Sequence, residues 1–254
     1  MKKFWKKTSL FLVTAAMTVS APLMAWALEH DIVILHTNDI HCGINDNIGF
    51  AGLAQIKKDA LARTPNVALV DAGDAIQGAP IGKLSRGLAV VDIMNYLGYD
   101  FCIPGNHEFD YGMDRFLELV PLQRAGYYCA NFVYAGNNKQ VLPGYKIMQY
   151  EDTKVAFVGA STPESLTTST PTFFQNEKGK YIYSFCEDKT GNKLYKQLQK
   201  NVDKARKDGA DYVFIVGHLG MDGTTPQWSS ESVAKNTQGV DAVIDGHSHE
   251  RFTR

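Results

Sequence analysis

Cysteine is scarce and badly spaced for thiol chemistry. Only Cys42, Cys102, Cys129 and Cys186 occur, with no C-x-x-C pair among them, which excludes a zinc ribbon or a dithiol redox motif. The chain is too large to need a disulfide scaffold. A Cys102–Cys129 bridge fits an oxidising compartment, but four buried thiols acting as small hydrophobes is the plainer expectation. An excess of positive charge is also missing. Residues 1–27 carry four lysines and no acids, so the rest has 22 basic against 27 acidic side chains, a net charge of −5. With no basic stripe to displace counterions, nucleic acid is excluded as a partner. There is no internal repeat, no low-complexity stretch and no change of composition, so no domain boundary is drawn inside residues 28–254.

The one apolar run of any length lies at the start. Lys2, Lys3, Lys6 and Lys7 precede the run from Leu10 to Leu23, and Ala25-Trp26-Ala27 ends it. This is the order of a secretory signal peptide cut near Ala27. A membrane anchor fits less well, because Thr14, Thr18, Ser20 and Pro22 interrupt a run already short for a span. The expectation is an exported protein, periplasmic or secreted, with no stable membrane anchor.

Short apolar runs rich in β-branched and aromatic residues predict buried strands at 31–37, 67–71, 100–103, 127–130, 212–217 and 241–245. Helical spacing appears between them, in Leu53, Ile56, Ala60 and Leu61 and again in Leu194, Leu198, Val202 and Ala205. Strand and helix in alternation predict an α/β fold with mainly parallel strands. Residues 145–150 and 154–159 flank Glu151-Asp152 as a hairpin would, so part of the sheet is expected to be mixed. Residues 161–188 read as a long loop.

The polar residues able to do chemistry follow these strands. Asp39 and His41 come after the first, Asp74 after the second, and Asn106, His107, Glu108 and Asp110 after the third. His218 follows a later strand, and His247 and His249 follow the last. Parallel strands end at one edge, so these side chains converge there. Gly73, Gly105, Gly217 and Gly246 each precede one of them, as expected where the chain turns sharply. Five of the seven histidines belong to this set, and imidazole with carboxylate and amide oxygen suits zinc, manganese, iron or cobalt. There are too many donors for one ion, and a shared carboxylate between two is the arrangement of a binuclear hydrolase. Glu108 reads as a surface carboxylate or a support for a neighbour, and His30 and His36 read as structural.

The series NDIHCG, DAGDAIQG, PGNHEFDYG, VGHLG and DGHSHE resembles the motif set of calcineurin-like metallophosphoesterases. PGNHEFDYGMDRF and STPESLTTSTPTFF resemble the exported 5′-nucleotidase and UDP-sugar hydrolase branch. The resemblance implies a four-layer α/β/β/α sandwich. It also implies two divalent ions, one held by Asp39, His41, Asp74 and His249, the other by Asp74, Asn106, His218 and His247. Asp74 would bridge them, and His107 with Asp110 would match the catalytic dyad. The activity implied is hydrolysis of 5′-nucleotides to nucleoside and phosphate, with water activated by the ions attacking phosphorus in line. A 2′,3′-cyclic nucleotide phosphodiesterase or a UDP-sugar pyrophosphatase is the alternative within enzymes. A metal-binding but inactive exported fragment is the alternative outside them. That branch continues beyond G-H-S-H into a C-terminal nucleotide-binding domain, so 28–254 is expected to be an incomplete catalytic domain with poor nucleotide selectivity.

Overall fold

A computed structural model describes residues 31–250 apart from 222 and 223. The leader, its cleavage site and His30 lie outside the described residues. Strands β1 (Val33–Thr37), β2 (Val67–Asp71) and β3 (Phe101–Cys102) form one parallel sheet in that order. Strands β4 (Val133–Tyr134) and β7 (Tyr183–Ser184) pair as a small ribbon. A second main sheet has the order β5 (Tyr145–Tyr150), β6 (Thr153–Ser161), β8 (Tyr212–His218) and β9 (Ala242–Ile244). There β5 and β6 are antiparallel around Glu151-Asp152, and β6, β8 and β9 run parallel, so the sheet is mixed as expected.

Side-chain alternation along the strands creates the layers. Ala68, Val70, Phe101 and Ile103 face Val155, Phe157 and Val216 in a dry layer between the two sheets. The rings in it pack together: Phe101 lies 4.6 Å from Tyr128 and 5.7 Å from Phe157, and Phe157 lies 5.8 Å from Phe214. The intervening residues point outward. Leu69 and Cys102 meet helices α1 (Gly49–Leu61), α3 (Leu88–Leu97) and α4 (Met113–Leu119) through Phe50, Leu53, Val90, Met94 and Phe116. Ala156, Val158, Val213 and Ile215 meet α6 (Asn192–Lys207) through Leu194, Leu198, Val202 and Ala205. The result is a four-layer α/β/β/α sandwich, and burying each such aliphatic side chain stabilises it by about 1.5–3 kcal/mol. Helices α2 (Pro80–Ser85), α5 (Ser165–Thr168) and α7 (Ser230–Asn236) are short additions between strands.

Three expectations need correction. Residues 127–130 are not a strand. Tyr128 N–H bonds Cys102 O in the first sheet, and Ala130 N–H bonds Gly159 O in the second. The segment makes a single bridge, Tyr127 with Cys102, and then crosses to the second sheet, so no strand forms. On α1 the buried positions are Phe50, Leu53 and Ala60, while Ile56 and Leu61 are exposed. Only a narrow stripe of α1 meets the core, and Lys57 beside it donates to Leu97 O at the end of α3. Residues 161–188 are not one loop, because α5, a 3-10 turn at Pro171–Phe174 and β7 divide them. The four cysteines are buried and unpaired.

Candidate metal centre

The loops after β1 and β2 travel together beyond the sheet. Asp39 N–H bonds Gly73 O, His41 N–H bonds Asp74 O and Cys42 N–H bonds Ala75 O, which ties the two loops together past the end of the ladder. From the opposite sheet, His247 N–H bonds both oxygens of Asp39, at 3.1 and 3.0 Å. Asp39, His41, Asp74, His247 and His249 all adopt left-handed backbone, with φ of 51°, 47°, 58°, 83° and 54°. Non-glycine residues pay for that conformation, and its concentration at one place marks a functional site.

Two groups of donors result. The donor atoms of Asp39, His41 and His249 lie within 4.8 Å of one another, as do those of Asp74, His218 and His247. Asp74 Oδ2 faces both groups, 3.0 Å from His218 Nε2 and 3.9 Å from His41 Nε2. Its other oxygen accepts from His107 N–H at 2.8 Å. Tautomers follow from the partners, because a carbonyl only accepts. His41 Nδ1 donates to Gln77 O and His218 Nδ1 to Ala72 O, so in both rings Nε2 is the atom that faces the centre.

Several observations test whether cations fit. His41 Nε2 and His249 Nε2 lie 3.3 Å apart, a contact that favours a shared positive charge. Asn106 Oδ1 and His218 Nε2 are buried with no hydrogen-bond partner of good geometry, an arrangement native proteins rarely leave unfilled. Burial alone would lower His218, yet the adjoining Asp74 carboxylate outweighs it and lifts the ring to about 10. Despite its burial, Asp74 is held below the carboxylate range by His218. The field therefore calls for a cation between these side chains, and six of the seven expected donors fall into the two groups, with the buried Asn106 Oδ1 left without a hydrogen-bond partner. His36 is exposed on β1 and belongs to neither group.

His107 stands beside the donors, its ring 5.2 Å from that of His41. Its Nδ1 lies 2.6 Å from Asp110 Oδ2, and Ser169 Oγ donates to the other Asp110 oxygen at 3.0 Å. The Asp110 bond is the main reason His107 holds its proton more tightly than a free imidazole.

Glu108 is no surface residue. Its carboxylate is buried and accepts the backbone N–H groups of Asp74, Ala75, Ile76 and Gly105 at 2.6–3.2 Å. Burial, with the Asp74 charge, pushes it up to about 7. Its place in G-N-H-E was visible in the sequence, but three of the four donors it serves lie 32 to 34 residues away. Glu108→Ala would leave these amides without an acceptor, at ~1–3 kcal/mol for each that stays dry. We expect a loss of roughly 3 kcal/mol or more in urea unfolding of the metal-free protein, and an unchanged midpoint would refute the anchoring role.

The expected reason for the glycines holds in part. Gly73 has φ +91°, which provides the sharp turn. Gly105 has no such backbone; it is required because a Cβ there would lie 2.3 Å from Asp74 Oδ1.

Among known proteins, the chain is 29% identical over 259 residues to the snake venom 5′-nucleotidase of Gloydius brevicauda. It is 27% identical over 272 residues to the 2′,3′-cyclic-nucleotide 2′-phosphodiesterase/3′-nucleotidase of Haemophilus influenzae. Each match covers 94% of this chain and 40% of the relative, so the chain spans about two fifths of their length. Among solved structures, the calcineurin-like phosphoesterase YfkN of Bacillus subtilis shares the fold. It matches with a TM-score of 0.73 at 24% identity, over 88% of this chain and 73% of that one. The profile of the calcineurin-like phosphoesterase family matches residues 32–251, which takes in both sheets and every donor described above, and the chain belongs to that family.

Proposed function

We propose that this chain hydrolyses phosphate monoesters at a pair of divalent cations, with 5′-nucleotides as substrates. The observation that carries the reading is Asp74, whose Oδ2 faces two donor groups at once while the His107–Asp110 pair stands beside them. Asp39, His41, Asp74 and His249 would hold one ion, and Asp74, Asn106, His218 and His247 the other. Zinc, manganese, cobalt or iron suits that donor set. Such ions supply Lewis acidity toward phosphoryl oxygens and lower the pKa of water.

The protein's own groups account for the remaining steps. Asp110 accepts from His107 Nδ1–H, itself steadied by Ser169, which leaves Nε2 to face the substrate. Because this bond raises the affinity of the ring for its proton, His107 is suited to protonate the departing ester oxygen. Glu108 keeps the Asp74 loop in register with Gly105 while charge moves in the centre.

Similarity to 5′-nucleotidases across 94% of the chain supports nucleotide substrates. The Haemophilus relative supports a second reading, hydrolysis of 2′,3′-cyclic nucleotides. Export, to the periplasm or beyond, belongs to the proposal on the strength of the leader at 1–27. A panel of AMP, 2′,3′-cyclic AMP, UDP-glucose and p-nitrophenyl phosphate, each with manganese, zinc and cobalt, tests the assignment. We expect AMP turnover that stops on chelation and returns with metal. Bound ions without turnover of any substrate would establish the inactive metal-binding alternative instead.

A further inference from the structure

The histidines of the centre differ in the kind of partner their second nitrogen finds. His41 and His218 give it to backbone carbonyls, which are neutral. His247 does not: its Nε2 lies 3.3 Å from the Glu164 carboxylate. Glu164 is itself held, because its other oxygen accepts both the backbone N–H and the hydroxyl of Thr225, each at 2.6 Å. It stands immediately before α5, in the segment that sequence alone reads as loop.

We infer that Glu164 is the positioning residue for His247, taking the Nε2–H and thereby presenting Nδ1 to the ion that Asp74 and His218 would share. An ionised carboxylate only accepts, so the single proton of a neutral imidazole must sit on the nitrogen facing it. The ring cannot easily turn to offer the other nitrogen. Its centroid packs 4.9 Å from that of His218, and its Nε2 is held by the Glu164 carboxylate. A carboxylate also does what a carbonyl does weakly: it raises the electron-donating power of the ring toward a metal, and losing such a partner typically lowers affinity 10–100-fold. Through Thr225 the same side chain also ties the start of α5 to the chain that follows β8. The inference rests on the two-ion reading above.

Metal titration of the whole chain separates the two ideas. Parent protein should take two manganese ions, and failure to do so sinks the two-ion reading itself. Given two ions, Glu164→Ala should weaken one of them ~10–100-fold and spare the other. Glu164→Gln keeps an oxygen to accept the Nε2–H but loses the charge, so its loss should be smaller. In a His247→Ala background, Glu164→Ala should add nothing, as expected of a residue acting through another. Nitrogen NMR of the metal-free protein reads the tautomer without any ion: Nε2-protonated in the parent and in Glu164→Gln, mixed in Glu164→Ala. An Nδ1-protonated parent ring, or a Glu164→Ala protein that binds both ions at parent affinity, would overturn the inference and leave the two-ion reading standing.

Discussion

Changing Asp74 to Asn is expected to release both ions, each weakened by well over the ~10–100-fold seen when only a supporting partner is lost. The reason lies in how this carboxylate is oriented. His107 N–H donates to Oδ1, and an amide placed there would keep its oxygen in that bond. Its NH2 would then occupy the position of Oδ2, turning two donors toward the place where both groups of ligands meet. Attraction becomes repulsion at two sites through one substitution. His249→Ala is the control, since its nitrogen joins only the Asp39 and His41 group and should weaken one ion. Elemental analysis after dialysis against graded metal buffers decides the matter. Two retained ions, or the loss of just one, would remove Asp74 from the bridging role.

His107→Ala should keep both ions and still lose about 10²–10⁴-fold in turnover of AMP, the usual contribution of a positioned general acid. His107 follows Asn106 in a 3-10 turn at His107–Phe109, so neighbouring side chains diverge and one can face substrate while the other faces the centre. A ribose alkoxide is a poor leaving group and needs its proton. Nitrophenolate is far less basic, so p-nitrophenyl phosphate should suffer markedly less from the same change. Equal losses on the two substrates would mean that the ring stabilises charge on the phosphoryl group itself. Loss of metal would make His107 a ligand and displace Asn106 from that assignment.

How much of this was legible in the sequence depended on distance along the chain. Strands β2 and β8 were readable because their centres, Val67–Val70 and Val213–Val216, are unbroken apolar runs, as in strands covered on both faces. The ligand candidates were readable because each follows a strand within a few residues, and parallel strands share an edge. The inner face of α6 matched its sequence pattern, while α1 did not, since spacing cannot say how wide a stripe the core will cover. Residues 127–130 misled because a segment crossing between sheets is as apolar as a strand within one. Glu108, Glu164 and Ser169 escaped for another reason. Each serves a group at least 32 residues away in sequence, and a lone acid or hydroxyl carries no local sign of that service.

The packed rings between the sheets have a bearing on chemistry they never touch. Loops from the first sheet carry Asp39, His41, Asp74 and Asn106, and the second sheet carries His218, His247 and His249. Each proposed ion would therefore be gripped by two jaws, one per sheet, and not by a single rigid loop. Phe101, Phe157 and Phe214 are the shim between those jaws, with ring spacings of 5.7 and 5.8 Å. Interiors packed this densely transmit small changes of volume instead of absorbing them. The gap between the jaws would then be a machined dimension, cut by the thickness of aromatic rings in the middle of the protein.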